Sequence, residues 1–433
     1  MIVLVVATVV AGIWVGIREF GDGDSSDDPP PPTVFSPESS PAGTPSTATP
    51  SGGATPGVSD ERSWPLGSLP HMLSLAPDRL ADDSLPLNDV ARYADIAGWM
   101  AACGISTPQS LDDVGLPAWE AQLDNLAIPT SLRERGLDPV WRQTYGFDLT
   151  QVEQVLIIGQ APDYVTVMRG AFDADELQTA WVTSGYQAVE IERQTIWSLA
   201  PGDAIDLTAP ESRPAMGTLN NVVMLENGML IASAKLSRLG SVLDVVNGEA
   251  PSLAEHDDVA AFLIPDVGVK RLASAVISKG SLVQGTVLTM PTAMSTPLAA
   301  SPEVDGGATP ESEPVMPEVN LVLLGIPLEN AANLTTTVPQ SGSLAAITVI
   351  VVFDELEDAR RANVEIAARL DAGVSPVTQQ PYSDRLAHTT SSVTGADDRS
   401  VVVVVGDLTG GAGNWLGMIG DRDLGFLYWL PEE

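Results

Sequence analysis

Histidine and clustered carboxylates are the side chains of this chain that could support acid-base or metal chemistry. The three histidines, His71, His256 and His388, lie far apart, and only His256 has acids beside it, in Glu255-His256-Asp257-Asp258. A metal site would need ligands that converge from elsewhere, and no metal-ligand spacing indicates this. Acidic residues prefer the surface, so we interpret this segment as a solvated loop.

The chain contains one cysteine, Cys103, which excludes an intramolecular disulfide and a cysteine-based metal cage. It follows a segment with helical spacing that begins at a predicted cap, Asn88, and passes through Tyr93 and Ala94. Nothing near Cys103 in the sequence would activate a thiolate. We therefore interpret Cys103 as a buried structural thiol.

Recognisable catalytic motifs are absent from the sequence. It has no G-x-S-x-G, S-x-x-K, H-E-x-x-H or Walker A pattern. The pairs Asp82-Asp83 and Asp112-Asp113 lie in turn-rich polar segments, and an acid pair needs a pocket before it can do acid-base work. We nominate no catalytic, cofactor-binding or metal-binding residue, and we expect no cofactor.

The N-terminal residues predict attachment to a membrane. An apolar run from Ile2 to Ile17 lies at the short end of what a spanning helix requires, and an acidic, Pro/Ser/Thr-rich stretch follows it. We interpret residues 1–18 as a transmembrane signal-anchor and 19–62 as a disordered linker. A cleaved secretory signal and a buried core helix are the alternatives, but no small-residue cleavage site follows the run.

Net charge excludes one class of partner. The chain has 57 acidic and 21 basic residues and a formal charge of −36, so it would repel the phosphate backbone of nucleic acid. The same charge disfavours contact between the folded part and anionic lipid headgroups. The N-terminal segment is therefore the predicted membrane contact.

The remaining chain divides by pattern into four parts. Residues 63–150 read as a helical region interrupted by prolines, and 151–290 as a first α+β repeat. A second Pro/Ser/Thr-rich tract, 291–317, is either a linker or a long loop, and 318–433 form a second α+β repeat.

An internal repeat supports this division. Val152–Gly159 and Val319–Gly325 each precede a second apolar strand, and an F-D-x-x-E sequence then begins a helix at Phe172 and at Phe353. Aspartate and glutamate at this spacing predict a reciprocal helix cap. The helices show apolar faces that should cover a sheet: Leu177, Ala180, Trp181 and Ser184 in the first, and Ala359, Ala362, Ile366, Ala367 and Leu370 in the second.

Strand signals complete the fold prediction. Asn227-Gly228 predicts a two-residue hairpin turn, and Val401–Val405, apolar on both sides, predicts a central strand. The predicted fold class is α+β, with a small N-terminal helical cap and two related halves of antiparallel sheet covered by helices. A ferredoxin-like arrangement is one candidate.

Nine tryptophans are many for this length, and core packing explains most of them. Aromatics that line a cleft between helices and sheet would instead indicate a ligand site. We expect a non-enzymatic, single-pass membrane protein whose folded part is extracytoplasmic and binds a protein or small-molecule partner. The alternatives are an exported hydrolase with a carboxylate-based site and a structural component of the cell envelope.

Overall fold

Runs of β-branched and other apolar residues give the protein its central feature, one antiparallel sheet. The computed structural model describes residues 64–78, 91–159, 164–191, 194–200, 202–204, 214–264, 267, 272–280, 317, 319–328, 345–375, 378–396, 398–408 and 425–427. All of them belong to one unit, Arg62–Glu433. The predicted anchor and stalk, and nearly all of the second polar tract, lie outside the described residues.

Twelve strands make up the sheet in the described part of the chain. They are β1 (Ala91–Asp95), β2 (Val152–Ile158), β3 (Val165–Gly170), β4 (Gln187–Ile191), β5 (Gln194–Ser198), β6 (Asn221–Met224), β7 (Met229–Ser233), β8 (Leu272–Lys279), β9 (Leu321–Pro327), β10 (Ala345–Phe353), β11 (Leu386–Ala396) and β12 (Arg399–Leu408). Their order is β11-β12-β10-β9-β8-β1-β2-β3-β7-β6-β5-β4, and neighbouring strands are antiparallel.

The strand order gives the two halves of the sheet the same path. β1-β2-β3 run outward from the centre on one side, and β8-β9-β10 do so on the other. In each half a helix then follows, and the chain returns so that its last strand, β7 or β12, pairs with the third. The ferredoxin-like candidate is wrong by strand order, because β1 and β2, which helices connect, lie side by side, whereas a ferredoxin-like sheet places another strand between two such strands.

Helices cover both faces of the sheet. Successive side chains of a strand point to opposite faces, and in this sheet the side chains on both faces are apolar. In β10, Val349 and Val351 face one core, while Ile350 and Val352 face the other. The helices of the first core are α2 (Ile96–Ala102), α3 (Leu116–Glu120), α4 (Thr130–Arg135), α5 (Pro139–Tyr145), α6 (Ala174–Thr183) and α9 (Leu356–Ala372). Those of the second core are α1 (Leu69–Leu73), α7 (Leu236–Val246) and α8 (Asp257–Leu263).

The predicted helix before Cys103 is wrong over its first part. Tyr93 and Ala94 belong to β1, which pairs with β2 on one side and β8 on the other. The helix α2 begins only at Ile96, where the Asp95 side chain accepts a hydrogen bond from the Gly98 N–H. Pairing with two strands therefore overrides the helical spacing of these residues.

The aspartate part of the predicted cap is confirmed in one motif of the two, and neither motif shows the reciprocal glutamate bond. Asp173 accepts hydrogen bonds from the N–H groups of Asp175 and Glu176 at the start of α6. In the second motif the helix, α9, begins one residue later than in the first, so Glu355 and not Asp354 is its N-cap. The Asp354 side chain instead accepts a hydrogen bond from the Asn320 side chain. Both predicted apolar helix faces are confirmed at their central residues, which include Leu177, Trp181, Ala362 and Ile366.

The predicted hairpin between β6 and β7 is confirmed, but its loop has three residues. The Leu225 N–H donates to the Met229 carbonyl, and Gly228 takes the left-handed conformation at φ +82°.

Val401–Val405 lies in β12, which pairs with β10 and β11. Val401, Val402 and Val404 are buried, as the central-strand prediction required, whereas Val405 is 37% exposed.

Two glycines that differ in backbone conformation offer a matched test of this fold. Gly240→Ala, inside α7, should raise the free energy of unfolding by about 0.5–1 kcal/mol, because alanine favours a helix. Gly228→Ala should lower it by about 1–2 kcal/mol, because its φ is positive. A Cβ at either position would meet no atom within 4 Å, so backbone conformation alone separates them. Urea unfolding measures both, and changes of equal sign would contradict the assignment.

Candidate functional site

A layer of tryptophans lies between the helices and the sheet in the first core. Trp99 of α2, Trp119 of α3, Trp141 of α5 and Trp181 of α6 are 0%, 0%, 1% and 2% exposed. We call this set the tryptophan layer. The layer packs with strand residues of the same core, including Val155 and Met168. Core packing, as predicted, therefore accounts for the position of these four rings.

Packing does not account for their polar atoms. The indole N–H group of each ring in the tryptophan layer is buried and has no hydrogen-bond acceptor among the residues that the structure describes. A buried donor without an acceptor costs about 1–3 kcal/mol, and the great majority of such groups in proteins are paired. The four donors therefore share a feature that packing does not explain, since each is buried without an acceptor among the described residues.

Other aromatic side chains hold the layer in place. Trp141 packs edge-on against Tyr145 and Phe147, with ring centroids 4.8 and 6.0 Å apart. Trp181 lies 6.2 Å from the half-buried Trp197. The Tyr145 hydroxyl accepts a hydrogen bond from the Ala215 N–H at 3.2 Å, which ties α5 to the segment before β6. Aromatic neighbours therefore fix the positions of Trp141 and Trp181.

The acids beside His256 form an ion-pair cluster, which we call the Asp258–Arg399 clasp. Asp258 Oδ1 accepts hydrogen bonds from Arg399 Nε at 2.6 Å and from Asn320 Nδ2 at 3.2 Å. The Asp258 and Arg399 side chains are only 14% and 21% exposed. The solvated-loop prediction is therefore wrong for Asp258. The clasp fastens α8 to β12 and raises the pKa of Arg399 through the Asp258 hydrogen bond.

His256 itself has a structural role. Its Nδ1 accepts a hydrogen bond from the Asp258 N–H at 3.3 Å, so the ring caps α8. No group of three or more histidine, cysteine or acidic side chains suited to a metal ion occurs among the described residues. Asp82-Asp83 lies outside that part of the chain, as does the side chain of His388.

A row of polar side chains crosses β1, β2 and β3 on the second face. Asp95 accepts a hydrogen bond from Gln154 at 2.8 Å, and Gln154 accepts one from Arg169 at 2.8 Å. The positive charge of Arg169 and burial together lower the pKa of His71 in α1, with burial the larger cause. His71 Nδ1 accepts a hydrogen bond from the Gly67 N–H at 3.3 Å, which requires the unprotonated nitrogen.

The remaining candidate side chains have pKa shifts or hydrogen bonds that do not favour acid-base or nucleophilic catalysis. Cys103 is half-buried, whereas the sequence predicts a buried thiol, and burial raises its pKa to about 11. Backbone N–H groups of Gly115 and Gln109 lower the pKa of the exposed Asp113. Asp148, whose side chain is 1% exposed, accepts from Thr150 and pairs with Arg142 at 3.2 Å. The Cys103 thiol and the Asp113 carboxylate are therefore stabilised in their ordinary ionisation states.

Comparisons with known proteins assign this chain to no family. No protein-family profile and no curated protein matches it. Crystal form IV of TP0453 is 10% identical, with 80% of this chain and 98% of that chain covered at a TM-score of 0.30. For crystal form I of TP0453 the identity is 9%, the coverage 79% and 99%, and the TM-score 0.27. Similarity at this level carries no argument about fold or function.

The clasp should contribute measurably to stability. Asp258→Asn leaves the mostly buried Arg399 without its nearest carboxylate, so the free energy of unfolding should fall by about 2 kcal/mol. Glu357→Gln is the matched control, since its pair with Arg360 is 83% and 62% exposed and should contribute less than about 0.5 kcal/mol. Urea unfolding compares the two variants, and equal losses would show that the clasp is only a surface contact.

His71 should make stability depend on pH. Because its pKa is lowered in the folded state, the unfolded chain binds the proton more readily below the ordinary value of 6.5. The free energy of unfolding should therefore decrease as the pH falls from about 7.5 to about 5.5. His71→Gln should show a shallower decrease in parallel urea unfolding curves. Identical slopes for the two proteins would rule out a contribution from His71.

Proposed function

We propose that this protein is a membrane-tethered, extracytoplasmic binding module without enzymatic activity, and that its tryptophan layer receives an apolar ligand with oxygen acceptors. The observation that supports this proposal is the set of four buried indole N–H groups that have no acceptor among the described residues. Donors of this kind favour carbonyl or ether oxygens, and the surrounding side chains favour a hydrocarbon body. An acyl ester has both features.

Ligand access would require the helices to separate from the sheet. α2, α3, α4 and α5 have only five to seven residues each, and helices this short depend on packing for their stability. Segments of this kind open at less cost than the paired strands beneath them. The helical region is therefore the part of the fold best suited to admit a ligand into the tryptophan layer.

Membrane tethering rests on the N-terminal sequence. The apolar run Ile2–Ile17 and the acidic stretch after it support an anchor followed by a spacer. Among the described residues, no helix is both long and apolar enough to cross a bilayer. Proteolysis of intact cells tests the orientation of the proposed N-terminal anchor, since digestion of the folded part is expected.

The described carboxylates do not favour the hydrolase alternative. Asp148 and Asp258, both mostly buried, are paired with arginines, and their oxygens accept hydrogen bonds from neighbouring side chains. The lowered pKa values of Asp113 and Asp203 are opposite to what a general acid needs. These observations favour binding over hydrolysis.

Nuclear magnetic resonance of the indole N–H groups tests ligand binding directly. We expect methyl oleate, added to the full chain, to shift indole N–H resonances downfield, because its ester oxygen accepts a hydrogen bond. Hexadecane, which has no acceptor, should not produce this shift. Trp99→Phe and Trp141→Phe should each weaken binding of the ester by up to about tenfold, the value of one hydrogen bond.

Trp197→Phe is the matched control, because Trp197 is half-buried beside Trp181 and outside the tryptophan layer. It should leave the affinity unchanged. The absence of any indole shift with the ester, or an equal loss in the Trp197 variant, would contradict the proposed site. Native mass spectrometry of the full chain purified from its own host would then show whether another class of ligand is bound.

A further inference from the structure

Strand β11 is the last strand at one end of the sheet that the structure describes. It spans eleven residues, Leu386–Ala396, and pairs with β12 on one side. None of the other described strands pairs with its outer side. The outward N–H and C=O groups of such an edge are a ready template for another strand.

The usual protective devices are scarce along this edge. Leu386–Ala396 contains no proline, lysine, arginine, aspartate or glutamate. Its one irregularity lies between Ala387 and Thr390, so residues 390–396 are regularly paired with β12. The opposite edge strand, β4, has only five residues and carries Glu190. The two edges therefore differ, and β11 is the one suited to pairing.

We propose that β11 pairs antiparallel with β11 of a second copy of this chain. A two-fold axis through Val393, the centre of the regular segment, would place Ser392 opposite Thr394 in both directions. Cross-strand pairs of serine and threonine stabilise antiparallel sheets. Because β11 carries no charged side chain, it offers nothing that would attract an oppositely charged partner strand. A second copy presents the same uncharged strand, so the two can pair without repulsion between facing side chains. The pair would continue the antiparallel order already present throughout the sheet.

Charge makes this association depend on salt. Each copy has a formal charge of −36, so two copies repel one another over long range. Pairing at a neutral strand keeps like charges from lying directly opposite each other, but it does not remove this background repulsion. The dimer should therefore become tighter as salt rises, which is opposite to the behaviour of an interface made of ion pairs.

Analytical ultracentrifugation of the full chain tests the proposal. We expect a monomer–dimer equilibrium that tightens between about 0.05 M and about 0.5 M NaCl. Ser392→Lys/Thr394→Lys would place like charges opposite each other across the axis and should weaken the dimer by at least about tenfold. Gln187→Lys/Ala188→Lys adds the same charge to exposed positions of β4 and should leave the dimer intact.

Hydrogen exchange of the unmodified chain provides a second readout that needs no variant. Amides of residues 390–396 should become more protected at high protein concentration, whereas those of β4 should not. A monomer at every salt concentration, an equal loss of dimer in the β4 variant, or unchanged exchange over 390–396 would overturn the proposal. Thermal unfolding of both lysine variants checks that the fold itself is retained, because exposed edge strands tolerate lysine.

Discussion

The antiparallel pairing of β1 with β8 is the interaction on which the rest of the structure depends. β1 has five residues, yet it joins the two halves of the sheet, with Tyr93 opposite Leu156 on one side and Ala275 on the other. The buried Ser274 hydroxyl donates to the Tyr93 carbonyl and accepts from the Ala127 N–H, so the helical region is fastened at the same place. One sheet with two covered faces follows from this junction.

A sheet covered on both faces leaves few places for charge, and the chain meets this constraint by placing acids around its scarce arginines. Arg142 pairs with Asp148 and Glu176, and Arg169 pairs with Glu153. Arg399 lies near three aspartates at the end of β12. With 57 acidic and 21 basic residues, most acids have no such partner available and belong at the surface. Arg399 in particular lies where a helix, α8, is fastened to the sheet.

Features set by neighbouring residues could be predicted from the sequence, whereas features set by distant pairing could not. The Asn227-Gly228 hairpin and the apolar face of α9 depend on local turn chemistry and helical spacing, and both were predicted. Strand β1 was mistaken for helix because its partners, β2 and β8, are far away in sequence. The clasp escaped prediction for the same reason, since Asp258 and Arg399 are 141 residues apart.

The tryptophan layer shows why the candidate site was equally hidden. Composition reveals nine tryptophans, but an indole N–H lacks an acceptor only because of what surrounds it in space. Carbonyl groups in the strands of a wide sheet are used by the neighbouring strands, and those inside helices are used by the helix. A ring held between these two layers therefore meets backbone whose acceptors are already engaged. The same pairing that makes the sheet continuous therefore helps to explain why these donors have no acceptor among the described residues.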